Sequence, residues 1–116
     1  MTTHAGSCHC GQIAFEVEGE FSSALVCNCS YCRRAGYMLA FTTPDKFQLK
    51  TPEADVSTYL FNRNAIRHNF CARCGIATHG GGTGPDGKAM VAINLRCVPD
   101  IDIDTLKLDK FDGAKL

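Results

Sequence analysis

The chain has 116 residues, 45% of them hydrophobic, with 12 Lys plus Arg against 12 Asp plus Glu. That length fits one domain over residues 1–116, with a core small enough to gain from a metal staple. The even charge balance disfavours a general nucleic-acid binder, which needs a basic surplus, although a local basic patch stays open. No apolar run has membrane-spanning length, and residues 1–6 lack the basic-then-apolar pattern of a signal peptide, so a cytoplasmic protein without membrane contact is expected.

Gln12 to Glu18 alternates, with Ile13, Phe15 and Val17 on one side, and reads as a half-buried strand between Gly11 and Gly19. Cys8 and Cys10 then lie on the turn entering it. Ala24-Leu25-Val26 reads as a strand running straight into Cys27. Ser30 to Gly36 reads as one or two helical turns, capped by Ser30 and ended by Gly36. Strands are expected at Met38–Thr42, around Phe47 and Leu49, and at Val56–Phe61, with breaks at Pro44-Asp45 and Thr51-Pro52-Glu53. A turn at Asn62-Arg63-Asn64 and a strand over Ala65–Phe70 would make a hairpin that delivers Cys71. Ile76–His79 reads as a strand, Gly80–Gly87 as a loop, and Met90–Leu95 as the strongest strand of the chain. Beyond Pro99 the segment is acidic, but Ile101, Ile103, Leu106 and Leu108 predict that it is ordered. Strands outnumber helices and no βαβ unit is visible, so the fold class is mostly β and antiparallel.

Seven of the eight cysteines fall into three tight groups: Cys8-His9-Cys10-Gly11, Cys27-Asn28-Cys29-Ser30-Tyr31-Cys32, and Cys71-Ala72-Arg73-Cys74-Gly75; Cys97 is isolated. Such clustering suits a reduced metal protein better than a disulfide framework. A C-x-x-C pair followed by glycine is a zinc knuckle: the turn aims both sulfurs at one point, and glycine permits the backbone angle that follows. Cys71 and Cys74 match it, and Cys8 and Cys10 are tighter by one residue. The two outer pairs can close one tetrahedral, structural zinc site. The triplet Cys27, Cys29 and Cys32 can hold a second zinc with one position left over, as a catalytic zinc requires. Iron competes for four thiolates, but the triplet lacks a ferredoxin-type spacing. A fourth protein ligand closing the triplet remains open at this point, with Cys97, His4, His9, His68 and His79 as candidates; scattered reduced core cysteines are the plainer alternative.

Acidic residues are absent from residues 21–44 and 56–85, whereas Arg33, Arg34, Arg63, Arg67 and Arg73 fall there. Arginine is suited to planar recognition of carboxylates, so Arg33, Arg34 and Arg67 are candidates to hold an anionic thiol substrate, with His68 or a water to carry a proton. Equally, these arginines could simply offset thiolate charge.

Together, Gly6-x-Cys8-His9-Cys10-Gly11, Cys27-x-Cys29-Ser30-x-Cys32-Arg33-Arg34, Gly36 and Phe70-Cys71-x-x-Cys74-Gly75 resemble the glutathione-dependent formaldehyde-activating enzyme family, which includes the centromere-protein-V-type domain. Asn94-Leu95-Arg96 and Phe111-Asp112-Gly113 look like short bacterial members. The resemblance implies a β-tent fold with two zinc ions per chain. One would be structural, on Cys8, Cys10, Cys71 and Cys74; the other would be catalytic, on Cys27, Cys29 and Cys32. It also implies a carbon–sulfur lyase that reversibly joins formaldehyde to glutathione, giving S-hydroxymethylglutathione. The chain is shorter than the founding type, so its C-terminal substrate contacts are expected to differ. Two other classes stay in view: a non-enzymatic zinc module that binds a partner, and a thiolate-based redox or metal sensor.

Overall fold

The computed structural model describes residues 2–60, 66–84 and 86–115. The first three strands are β1 (Thr3–Ser7), β2 (Ala14–Glu18) and β3 (Ser23–Cys27). One short helix, α1 (Cys32–Ala35), precedes β4 (Leu39–Thr42), β5 (Phe47–Leu49) and β6 (Val56–Tyr59). Then come β7 (Arg67–Cys71), β8 (Ala77–Thr83), β9 (Ala89–Asn94) and β10 (Lys107–Phe111), with single 3-10 turns in several connections. They form a three-stranded sheet, β1-β2-β5, and a seven-stranded one, β10-β3-β4-β9-β8-β7-β6. The mostly β reading holds. All described pairings are antiparallel except β10 on β3, which is parallel.

Alternation in β2 does what the sequence predicts. Ile13, Phe15 and Val17 are at most 1% exposed, and Phe15 and Val17 pack on Ala24, Ala40, Ile93 and Leu95 of the larger sheet and its connections. Removing this apolar surface from water is the main force joining the two sheets. A smaller cluster of Cys27, Cys32, Tyr37 and Leu39, flanked by Leu25, Tyr31 and Ala92, lies apart from it. Since Leu25 pairs with Leu39, and Ala40 with Ile93, the two clusters occupy opposite faces of the large sheet.

Several expectations need correction. Gly80–Thr83 is not loop but the second half of β8, and the turn is confined to Gly84–Lys88, closed by Gly84 N–H to Lys88 O at 2.8 Å. The glycines serve close approach rather than flexibility. A Cβ on Gly80 would stand 2.8 Å from the Arg67 carbonyl, and one on Gly81 would meet the Arg67 guanidinium. Ser30 does not cap α1: Tyr31 holds the N-cap position without a side-chain bond, while Gly36, in the left-handed conformation, ends the helix as expected. Two edge strands, β1 and β10, carry no apolar alternation; all five residues of β10 are exposed. The expected turn at Asn62-Arg63-Asn64 lies outside the described residues.

Candidate metal centres and the adjacent groove

Cys8 and Cys10 occupy the turn between β1 and β2, and Cys71 and Cys74 the turn between β7 and β8. Cys8 Sγ lies 3.7 Å from Cys10 Sγ, which lies 3.6 Å from Cys71 Sγ, and all four sulfurs fall within 4.8 Å of one another. A tetrahedron with Zn–S bonds of about 2.3 Å has S···S edges of about 3.8 Å, so the donor set fits zinc. Backbone N–H groups already serve two sulfurs: Ile13 N–H donates to Cys8 Sγ (3.3 Å) and Cys74 N–H to Cys71 Sγ (3.4 Å). Gly11 and Gly75 follow the pairs at φ +85° and +82°, the left-handed angle that the knuckle turn needs. The N–H groups of Cys10 and Ile76 draw the Cys74 thiol down to about 6. Burial raises the Cys8 thiol, but its bonds from Ile13, Cys10 and Cys71 outweigh that and lower it. Against the Gln12 N–H, which lowers it, burial and the thiols of Cys71, Cys8 and Cys74 push the Cys10 thiol up to about 11, so metal uptake at this cluster would still release protons.

The triplet is built by one short segment. β3 ends on Cys27; Cys29 N–H donates to Cys27 Sγ (3.4 Å) and Cys32 N–H to Cys29 Sγ (3.3 Å). All three sulfurs lie within 4.8 Å of one another, and among the described residues no further His, Cys, Asp or Glu ligand atom joins them. The four histidines and Cys97 therefore stay outside both groups. Cys97 is buried, and its thiol, 3.6 Å from the Ala77 carbonyl, is pushed up to about 11 by burial and by Cys8 and Cys74. Within the triplet, burial works against ionisation of Cys29, but the Cys32 N–H and neighbouring thiols overcome it and lower the group. Cys32 is raised by burial and by Cys29. Cys29 is thus shifted toward the thiolate and Cys32 away from it, and a metal held by the triplet would require the thiolate form of its ligands.

Beside α1 a groove of about 1000 Å³ runs toward the four-cysteine site; Tyr31, Tyr59, Arg34, Arg96, Asn94 and Cys97 line it. Asn94 is buried and satisfies three backbone groups: it accepts from Met38 N–H (3.4 Å) and Arg96 N–H (3.2 Å) and donates to the Ala77 carbonyl (2.8 Å). That fixes the start of Arg96, whose Nε donates to the Gly36 carbonyl at 3.0 Å. Arg34 is tied in the same region by Nη1 to the Ser30 carbonyl. The aromatic wall is continuous, since Tyr31 stacks on Tyr59 (5.7 Å) and packs on His68 (4.1 Å). Burial lowers the His68 imidazole from its ordinary value, so the ring is uncharged at neutral pH.

Residues 3–105 match the family model described as glutathione-dependent formaldehyde-activating enzyme. The chain belongs to this family. A crystal structure of a Rhodobacter sphaeroides protein, solved as a structural-genomics target, is similar to the family member described here: 26% identity, TM-score 0.77, covering 90% of this chain and 99% of that one. Among the described residues no helix is long and apolar enough to cross a membrane.

In this family member the structure separates the three arginines singled out by charge. Arg34 lines the groove, whereas Arg33 and Arg67 do not. Arg96, not among them, does. The only local hint was its place directly after the strongest strand, in Asn94-Leu95-Arg96; its contact with Gly36 lies 60 residues away.

Proposed function

We propose that this protein is a zinc-dependent carbon–sulfur lyase that reversibly joins a glutathione-like thiol to formaldehyde or a similarly small carbonyl compound. Cys8, Cys10, Cys71 and Cys74 would hold a structural zinc, and Cys27, Cys29 and Cys32 a working one. The observation that carries this reading is the four-and-three division of the thiols, with the three-thiol group lacking a fourth ligand among the described residues. The family supports the substrate class. A zinc bound by three thiolates would lower the pKa of a substrate thiol in its fourth position.

The chain's own residues supply placement. Arg34 and Arg96 offer guanidinium groups to the substrate's carboxylates, and both are pre-positioned by bonds to backbone carbonyls at the two ends of α1. Tyr31 and Tyr59 give the peptide portion an apolar wall. Arg33 and Arg67 are left outside this role. In the reaction the sulfur–carbon bond forms, the carbonyl π pair moves to oxygen, and the thiol's proton ends on that oxygen. Holding the thiol over the triplet converts a bimolecular encounter into a positioned one. Seven cysteines clustered for metal binding suit a cytoplasmic setting, where thiols stay reduced.

The test is zinc per chain together with NMR exchange between formaldehyde and glutathione, in the natural protein and in Cys27→Ser. Two zinc ions and saturable exchange, with one zinc and no exchange above buffer in the variant, are expected. Exchange at the buffer rate in the natural protein would sink the formaldehyde assignment.

A further inference from the structure

The segment after β10 touches the triplet in a way that core packing does not explain. Every residue of β10 is exposed, and its two apolar side chains, Leu108 and Phe111, still show 46% and 43% of their surface, so burial alone does not fix its place. Yet the residues that follow are stitched to Asn28, the side chain between the first two cysteines of the triplet. Asn28 N–H donates to the Phe111 carbonyl (3.2 Å), its Nδ2 donates to Asp112 Oδ1 (2.9 Å), and its Oδ1 accepts from Ala114 N–H (2.9 Å). Asn28 itself is exposed, so its side chain has no packing role there.

These bonds bring Gly113 against the thiols. A Cβ built on Gly113 would lie 2.5 Å from Cys27 Sγ and 3.2 Å from Cys29 Cβ. Its backbone is not in the left-handed region. Glycine is required here by space alone, and the space is that of the Cys27 sulfur. The Phe111 position is in register with Cys27 across the parallel pair, which fixes where the segment arrives. Cys27 is 9% exposed although it lies next to an edge strand whose Phe111 is 43% exposed.

We propose that residues 111–114 form one wall of the triplet centre, and that Asn28 is the positioning residue that fastens this wall and so sets the Cys27 sulfur. This inference rests on the reading of the triplet as the working centre. An amide suits the role, because it offers one donor arm and one acceptor arm to two different partners. Aspartate at 28 would keep the acceptor for Ala114 but face Asp112 with oxygen against oxygen. Exchanging the two residues restores both bonds.

The experiment uses the full chain in two forms. In metal-stripped protein, the rate of Cys27 alkylation by iodoacetamide is followed by peptide mass spectrometry. Asn28→Ala should raise it about tenfold, the opening expected on losing one exposed neutral hydrogen bond and one exposed bond to the Asp112 carboxylate. Asp112→Asn alone should stay near the natural rate, since its amide oxygen still accepts. The double variant Asn28→Asp, Asp112→Asn should return to the natural rate, which general destabilisation would not do. In the cobalt-loaded protein, Gly113→Ala should lower bound cobalt from two to one per chain and remove the thiolate charge-transfer band of the triplet. Asn28→Ala alkylated within twofold of the natural rate, or Gly113→Ala keeping both cobalt ions with an unchanged spectrum, would overturn the proposal. If the natural protein binds one cobalt only, the metal reading of the triplet fails, and the alkylation series still decides the wall.

Discussion

Arg96 gives the sharpest test of the proposal that the groove recognises a carboxylate-bearing thiol. Its Nε is committed to the Gly36 carbonyl at 3.0 Å, so the guanidinium is oriented before a ligand arrives, and the terminal amino groups are what a carboxylate would meet. A hydrogen bond to a charged group contributes about 1.5–3 kcal/mol. Arg96 and Arg34 are both exposed, so solvent screening reduces each to about 1–1.5 kcal/mol. Arg96→Ala should therefore weaken glutathione binding about five- to tenfold, and Arg34→Ala with Arg96→Ala about 30- to 100-fold if they hold separate carboxylates. Isothermal titration of the zinc-loaded protein reads this directly, with 2-mercaptoethanol as the thiol that lacks carboxylates. Its affinity should be unchanged in both variants, and Arg33→Ala and Arg67→Ala should change glutathione binding less than twofold. An equal loss for 2-mercaptoethanol would mean that Arg96 only props α1. A twofold loss or less for glutathione would remove it from recognition altogether.

Three further outcomes are expected. His79, buried against Phe15 and Phe47, is held at about 4 by burial. An unfolded histidine titrates near 6.5, so this depressed group stabilises the fold fully above that pH. The contribution is lost as pH falls from about 6.5 to 4, roughly 3 kcal/mol in all. Denaturant titrations of the natural protein and His79→Asn across that range should converge in slope against pH only if another group is responsible. Gly6 is buried under the Phe15 ring, where a methyl group would collide with the ring edge; Gly6→Ala should cost about 1–3 kcal/mol by overpacking, read as a lower denaturant midpoint. Tyr37 is 4% exposed, and among the described residues its hydroxyl makes no hydrogen bond of good geometry. Tyr37→Phe should leave thermal stability unchanged or raise it by up to about 2 kcal/mol, and a clear loss would reveal a bridging water.

Much of the site was legible because its parts are local. Each cysteine group is a few residues long, the glycine after each outer pair reports a backbone angle, and the strand into Cys27 is a plain apolar run. The Ile13–Val17 alternation was equally readable, since one buried face leaves one pattern. What escaped was set by long-range fit. β10 is exposed on every residue, so no hydrophobic period marks it, and β1 spells Thr-His-Ala-Gly-Ser, which reads as irregular. The glycines of β8 look like a loop until Arg67 is seen beside them. Arg96 and Asn28 matter through partners 60 and more than 80 residues away, which no local pattern reports.

The four-cysteine centre joins turns from both sheets, with Cys10 and Cys71 in contact across 61 residues of chain. A metal held there could not leave without those turns parting, whereas the triplet draws all its sulfurs from six consecutive residues and could release an ion by a local motion. If both centres hold zinc, as proposed, the two ions keep different time. The first should exchange with isotopically labelled zinc no faster than the sheets separate, and the second at a rate that leaves the fold undisturbed. A cell short of zinc would empty the working centre first and keep a folded protein ready to be refilled.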